Sequence, residues 1–308
     1  MTRQSGLADP KIFLPFILIT LIWGSTWIVI KDQLGSVPPV WSVTYRFVIA
    51  GAAMFLLAKV AGDSFRVGRT GHLLAGVMGF VQFAINYNAV YAAEQFVTSG
   101  LVAVVFALLV VPNALFSRIF FGDRMTRGFL LGSAIALAGV ALLFLQEVRL
   151  AAVPSQSVLA GIGLTVVAVL AASVANVMQI SKEVRARPIS VMVGWAMVYG
   201  AAIDGLFAWS VAGPPVMETR FGYWLGLLYL SVIASSLAFF LYYRIIRAIG
   251  PARAAYSSVL IPVIAMGFST LFEDYHWAPL SMAGGGLVLL GLVIALGSRP
   301  PPVPSPSD

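Results

Sequence analysis

Val111-Pro112 stands inside a long apolar run and is followed by Phe121-Gly122-Asp123; the same pattern returns as Ile261-Pro262 and Leu271-Phe272-Glu273. In both places a large apolar residue, Phe121 or Leu271, lies nine positions after the proline, and an acid, Asp123 or Glu273, lies two positions further on. Glycine pairs then follow at equal spacing, Gly132 with Gly139 and Gly284 with Gly291. Pro262 follows Pro112 by 150 residues, so the chain reads as one unit of that length written twice. An internal repeat in a very apolar chain points to a carrier more than to an enzyme.

Composition sets the solvent. The 308 residues are 60% hydrophobic and 10% charged, whereas a soluble domain carries about 25% charged residues. So little charge cannot cover a water-facing surface, and the chain is expected in a membrane. Cysteine is absent, which removes disulfides, thiol nucleophiles and thiolate metal sites. The net charge of +7 is scattered over short loops, so no basic patch suited to nucleic acid forms. The run 12–30 is too long for a signal-peptide core and lacks a small-residue cleavage site.

A helix needs about 20 apolar residues to cross the hydrocarbon core. Ten runs qualify in the sequence: 12–30, 41–59, 73–92, 97–120, 128–146, 158–181, 189–210, 222–243, 254–272 and 278–297. With the N-terminus in the cytoplasm, Lys31, Arg149 and Arg220 fall outside, Arg46 falls within a span, and the other fifteen of the nineteen lysines and arginines fall inside. That bias follows the positive-inside rule and puts both termini in the cytoplasm. Five spans per copy is an odd number, so the second copy must enter the membrane from the opposite side. The expected fold is all-α: two inverted five-helix repeats, 12–146 and 158–297, around a central cavity, with a disordered proline-rich tail at 299–308.

Several of these residues also resemble a known family. Leu21-Ile22-Trp23-Gly24-Ser25-Thr26 is similar to the opening Trp-Gly-Ser signature of the EamA branch of the drug/metabolite transporter superfamily. Tyr45-Arg46-Phe47-Val48-Ile49-Ala50-Gly51 is similar to its Arg-Phe-x-x-Ala element. Phe121-Gly122-Asp123 and Phe272-Glu273 resemble the Leu-Gly-Glu that closes its fourth and ninth spans. Within the branch the chain looks most like the YddG-type amino-acid exporters. The resemblance implies ten helices, a substrate cavity between the halves and export of small metabolites. The second copy departs from it, with Val174-Ala175-Asn176 in place of Trp23-Gly24-Ser25. The small multidrug members of the superfamily couple to protons through a first-span glutamate, and no acid lies within 12–30 here.

Polar groups are costly in hydrocarbon and usually face a bundle interior. Gln82 and Asn86 are four apart and share a helix face in the third span, whereas Asn88 does not share it. Ser173, Asn176 and Gln179 step by three along the sixth span. Both faces are candidates for the cavity, with interhelical hydrogen bonding as the plainer reading. Trp23 sits mid-span beside Gly24 and is the best candidate for an aromatic wall. Ser25, Tyr87, Tyr199, Tyr242 and Tyr256 complete the candidate cavity set. Trp41, Trp224 and Trp277 sit at span starts and read as interfacial anchors.

Pro112 and Pro262 read as paired hinges or, equally, as static kinks. Arg46 and Asp204 are the clear in-span charges. Arg46 could snorkel outward or meet a substrate carboxylate. The two could also pair with each other, or Asp204 could carry a proton. The glycine stripes of spans five and ten read as a packing seam. His72 and His276 read as solvent-edge residues.

Enzymatic chemistry finds little footing. There is no cysteine, the histidines lie at span edges, and no Gly-x-Ser-x-Gly occurs. The segment Gly62–Thr70 superficially looks like a phosphate loop, but its glycines are misspaced and Arg69 stands where the lysine belongs. The sequence therefore reads as a secondary carrier of the bacterial inner membrane, exporting neutral amino acids or similar metabolites by alternating access. Export of other metabolites or drugs, or a passive channel, are the alternatives. The expected partners are a small-molecule substrate and membrane lipid, with no cofactor, metal, nucleic acid or ATPase subunit, in a monomer.

Overall fold

The structure is a computed structural model and describes residues 9–35, 37–122, 125–150, 155–254, 257–272 and 278–297. Asp123, Tyr256, Glu273, His276, Trp277 and the proline-rich tail lie outside them.

Apolar runs without strand alternation favour helices, and among the described residues the regular structure is helical throughout. The main stretches are α1 (Pro10–Gln33), α2 (Pro39–Val60), α3 (Gly68–Ala93), α4 (Gly100–Phe121), α5 (Arg127–Leu150), α6 (Ser155–Met178), α7 (Ile189–Ala212), α8 (Phe221–Ile249), α9 (Ser257–Phe272) and α10 (Pro279–Gly297). Single turns at Lys182–Arg185 and Pro251–Ala254 punctuate the connections.

Local chemistry sets the ends. Asp9 caps α1 by accepting from the Lys11 amide at 3.0 Å, and Pro10 and Pro39 occupy first-turn positions where a missing N–H costs nothing. Gly122 ends α4 in the left-handed region (φ 76°), which a side chain would disfavour.

Seven of these stretches, α1, α2, α3, α4, α6, α7 and α8, are long and apolar enough to cross a membrane. The seven are counted among the described residues, beside the ten runs read from sequence. Among the described residues, α5 and α10 hold the shorter apolar stretches Arg127–Leu143 and Pro279–Ala295. The described part of α9 is 16 residues long. Large apolar side chains such as Leu14, Leu73, Leu206 and Phe221 point outward and stay exposed, which suits lipid and not water.

Close backbone approaches hold the bundle together. A Cβ added at Gly132 would fall on Gly291 O and Ala295 N, and one added at Gly139 would lie 2.6 Å from Gly284 O. The glycine stripes thus let α5 and α10 touch through their main chains. The α2–α7 pair is looser: Gly51 faces Val198 and Gly194 faces Phe55. At one rim of the bundle, Arg220 pairs with Asp32 at 3.0 Å, and the Lys31 ammonium donates to Glu94 O at 2.6 Å. There Trp41 Nε1 donates to Gly213 O and Trp224 Nε1 to Glu218 O, tying the span-end tryptophans to loop carbonyls. At the other rim, Arg247 donates to the carbonyls of Val184 and Arg187.

Two spans are interrupted by a wider helical form. Gly79–Ile85 in α3 and Tyr229–Leu237 in α8 are π-helical, a form that accommodates an extra residue and leaves main-chain carbonyls free for other donors. Gly79 lies against α7 so closely that an added Cβ would sit 2.5 Å from Ala196 O. In the second segment Ser236 Oγ donates to Ser231 O, five residues back, and to Ala50 O on α2, each at 3.0 Å. Ser236→Ala should remove both bonds and leave buried acceptors short, a loss of about 1–3 kcal/mol. Thermal unfolding in detergent would register it, with Ser210→Ala, whose hydroxyl is exposed and bonds only the Phe207 carbonyl, as the near-neutral reference.

Candidate functional site

A cavity opens in the middle of the bundle, and its walls come from α1, α2, α3, α4, α6, α8 and α9. One wall is aromatic. Trp23 meets Tyr242 edge-on at 4.8 Å and Phe239 at 5.5 Å between centroids. Its Nε1 donates to Ala234 O at 3.1 Å, and Ala234 belongs to the second π segment, so the distorted backbone fixes this indole. Trp27 stands 5.5 Å from Phe106 and widens the wall.

A polar strip faces it. Gln82, in the first π segment, and Asn86, one turn on, are each 3% exposed and both line the cavity. Asn86 Nδ2 donates to Gln82 O at 3.1 Å, which orients its amide and leaves Oδ1 without a hydrogen-bond partner among the described residues. Gln82 Oε1 likewise has none. Asn176, from α6, lines the cavity as well, with Thr26 and Ser257 adding hydroxyls.

Arg46 completes the lining from α2. It is 1% exposed, so it does not snorkel to the surface. Its guanidinium lies 4.5 Å over the Tyr87 ring and 5.7 Å from that of Phe47. Its Nε donates to Ser235 Oγ at 2.9 Å and Nη1 to Tyr91 OH at 3.5 Å, and Tyr91 in turn donates to Gln33 Oε1 at 3.0 Å. Arg46 and Asp204 do not pair. Asp204 lies on α7 and takes its hydrogen bond from Asn88 Nδ2 at 2.6 Å, whereas Arg46 turns toward α3 and α8.

Other sequence candidates sit elsewhere. Gln179 was placed on one face with Ser173 and Asn176, but α6 ends at Met178, so helical stepping no longer applies to it. It is buried against Met78 Sδ and accepts from Arg247 Nη2 at 3.4 Å. Ser173 is buried but does not line the cavity. Ser25 bonds Ile22 O and the Tyr229 hydroxyl, at 2.9 and 2.7 Å, and is not among the residues that line the cavity. Tyr199 stacks on Trp195 and bonds His72 Nδ1 at 2.9 Å, toward the α2–α3 connection.

Pro112 is buried in α4, just after a 3-10 turn at Ala107–Leu109. The missing proline N–H explains why the helix tightens there. Pro262 lies within α9, and Ala107, Leu109 and Ile261 beside the two prolines reach the cavity.

Phe239 and Ser235 are site features the sequence reading passed over. The polar pair Ser235-Ser236 inside an apolar run was the available signal; the π geometry that aims it left none.

A protein-family model for EamA-like transporters matches this chain twice, over residues 11–145 and 159–297. The chain belongs to the EamA-like transporter family. It is therefore a multi-pass membrane transporter. Among similar proteins, the "Probable amino-acid metabolite efflux pump" of Escherichia coli (strain K12) is 24% identical, covering 96% of this chain and 95% of its own. Protein PagO of Salmonella typhimurium is 23% identical over 94% of both chains. The uncharacterized inner membrane transporter YedA of Escherichia coli (strain K12) is 27% identical over 89% of this chain and 87% of its own. A solved crystal structure superposes with a TM-score of 0.68 at 19% identity, over 92% of this EamA-like chain and 95% of the other, and shows a shared fold.

Proposed function

We propose that this EamA-like transporter exports small metabolites, above all aromatic or other neutral amino acids, from the cytoplasm across a bacterial inner membrane. It works by alternating access: two inverted five-helix halves, 12–146 and 158–297, rock about a cavity they share. The observation that carries this reading is the origin of the cavity walls. Trp23, Gln82 and Asn86 come from the first half, and Asn176, Phe239 and Tyr242 from the second. A relative movement of the halves would therefore remake the site.

Paired distortions add support. The π segments begin at Gly79 and Tyr229, 150 residues apart, the same offset that separates Pro112 from Pro262. The seam pairs Gly132 with Gly291 and Gly139 with Gly284, the cross-over a two-fold axis between the copies would produce. The charge bias between loops favours ten crossings with both termini cytoplasmic; we propose a monomer that works without an ATPase partner or a cofactor. The likeness to a probable amino-acid metabolite efflux pump favours amino acids as cargo.

Proteoliposomes containing the purified protein should exchange labelled phenylalanine, methionine or threonine, with saturation and stimulation by substrate on the opposite side. Absence of flux above empty vesicles across a broad amino-acid panel would remove this reading. Flux that neither saturates nor responds to counter-substrate would mark a pore instead.

A further inference from the structure

Among the described residues the cavity carries one charge and lacks its complement. Arg46 is buried in a span, yet among the described residues no carboxylate lies within ion-pair distance of it. A guanidinium out of water is expensive unless an anion or several acceptors answer it. Here Ser235 and Tyr91 take Nε and Nη1, and the Tyr87 ring covers a face. No described residue accepts from Nη2. No aspartate or glutamate is among the lining residues of the cavity. The polar strip has the opposite deficit, because Gln82 Oε1 and Asn86 Oδ1 are buried acceptors with no donor among the described residues.

We infer that Arg46 is the carboxylate anchor of this cavity and that Gln82 and Asn86 accept from a donor carried beside that carboxylate. The inference rests on the carrier reading above and narrows its cargo. The favoured solutes are carboxylates with an α-amino or α-hydroxy group and an apolar body that packs on Trp23, Phe239 and Tyr242. Cationic amphiphiles without a carboxylate are rejected: they would place a second positive charge near Arg46 with no acid to meet it. A planar guanidinium, with two parallel donors, suits a carboxylate better than an ammonium would.

The test uses the full-length protein and four matched solutes: phenylalanine, phenyllactate, phenylpropionate and phenethylamine. Binding is read in detergent as thermal stabilisation, and transport as inhibition of labelled phenylalanine flux in proteoliposomes. Phenylalanine and phenyllactate should act strongest, phenylpropionate more weakly, and phenethylamine at least about 10-fold more weakly than phenylalanine, the ratio expected for losing one charge-assisted hydrogen bond. A phenyllactate response equal to that of phenylalanine assigns the amide pair to any donor, and a clear excess for phenylalanine assigns it to the ammonium. Arg46→Gln should erase the preference for acid over amine, whereas Arg46→Lys should keep its direction with weaker binding.

Loss of the preference is a readout that a purely structural arginine would not move, and the wild-type panel decides the matter even if Arg46→Gln does not fold. Phenethylamine acting as well as phenylalanine on the wild type, or Arg46→Gln keeping the wild-type preference, overturns the anchor. Carboxylate-selective binding without any flux would instead sink the carrier reading and leave the anchor standing. Neither binding nor flux from any of the four overturns both.

Discussion

Gly291→Ala should sharply reduce the yield of folded protein. An added Cβ there would fall on Gly132 O and Ala136 N, which are main-chain atoms of α5 and cannot swing aside as a side chain could. The helices must part, and every contact along the seam between Gly132–Gly291 and Gly139–Gly284 loosens with them. Overpacking of this kind costs about 1–3 kcal/mol, and more where the obstacle is backbone. Gly291→Leu should leave no monodisperse protein in detergent. Gly285→Ala supplies the comparison within the same helix, since a Cβ at Gly285 meets nothing within 4 Å. It should be neutral or slightly stabilising, because alanine is the better helix former. Size-exclusion profiles and melting temperatures of the three variants measure the contrast. Equal melting of Gly291→Ala and wild type would mean that α5 and α10 do not meet through their backbones.

Asn88→Leu should be the most damaging polar substitution in the bundle interior. Asp204 is 1% exposed; its Oδ1 accepts from Asn88 Nδ2 at 2.6 Å, and its Oδ2 has no hydrogen-bond partner among the described residues. Removing the amide takes away the donor that Asp204 has among the described residues, a loss of about 1–3 kcal/mol for a buried acceptor left unsatisfied. Asp204→Asn should be tolerated, since its amide oxygen can still accept from Asn88. The double variant Asn88→Leu with Asp204→Leu should recover most of the stability lost by Asn88→Leu alone, because neither partner is then stranded. Additive losses would show that the two residues do not act as a pair. Flux measured on Asp204→Asn bears separately on coupling: retained transport would remove this carboxylate as a proton carrier.

The sequence made the repeat legible because prolines and close-packed glycines have few substitutes. No other residue reproduces the missing N–H of Pro112 or the backbone contact of Gly139, so both could be read without coordinates. Gln82, Asn86 and Asn176 were legible for a related reason, since an amide in hydrocarbon must face something polar. Reading failed where a side chain's direction depended on helix boundaries or on a partner from another span. Gln179 kept its place in the i, i+3 series on paper, but the helix had already ended. Ser25 sits in a signature motif, yet it spends its hydroxyl on Ile22 O and Tyr229. Arg46 and Asp204 invited pairing by depth alone, whereas their rotations about α2 and α7 send them to different neighbours.

The π segments also bear on history. A π turn holds one residue more than the α turn it replaces, so a residue inserted into a helix can be absorbed locally instead of shifting the register of everything beyond it. Such insertions are rare enough that two at one offset of 150 residues, at Gly79 and Tyr229, are poorly explained as separate accidents. Under the duplication proposed here, the insertion is older than the event that joined the copies. It was already present when the ancestor was a single five-helix chain, and it has outlived the divergence that replaced Trp23-Gly24-Ser25 by Val174-Ala175-Asn176 in the second copy.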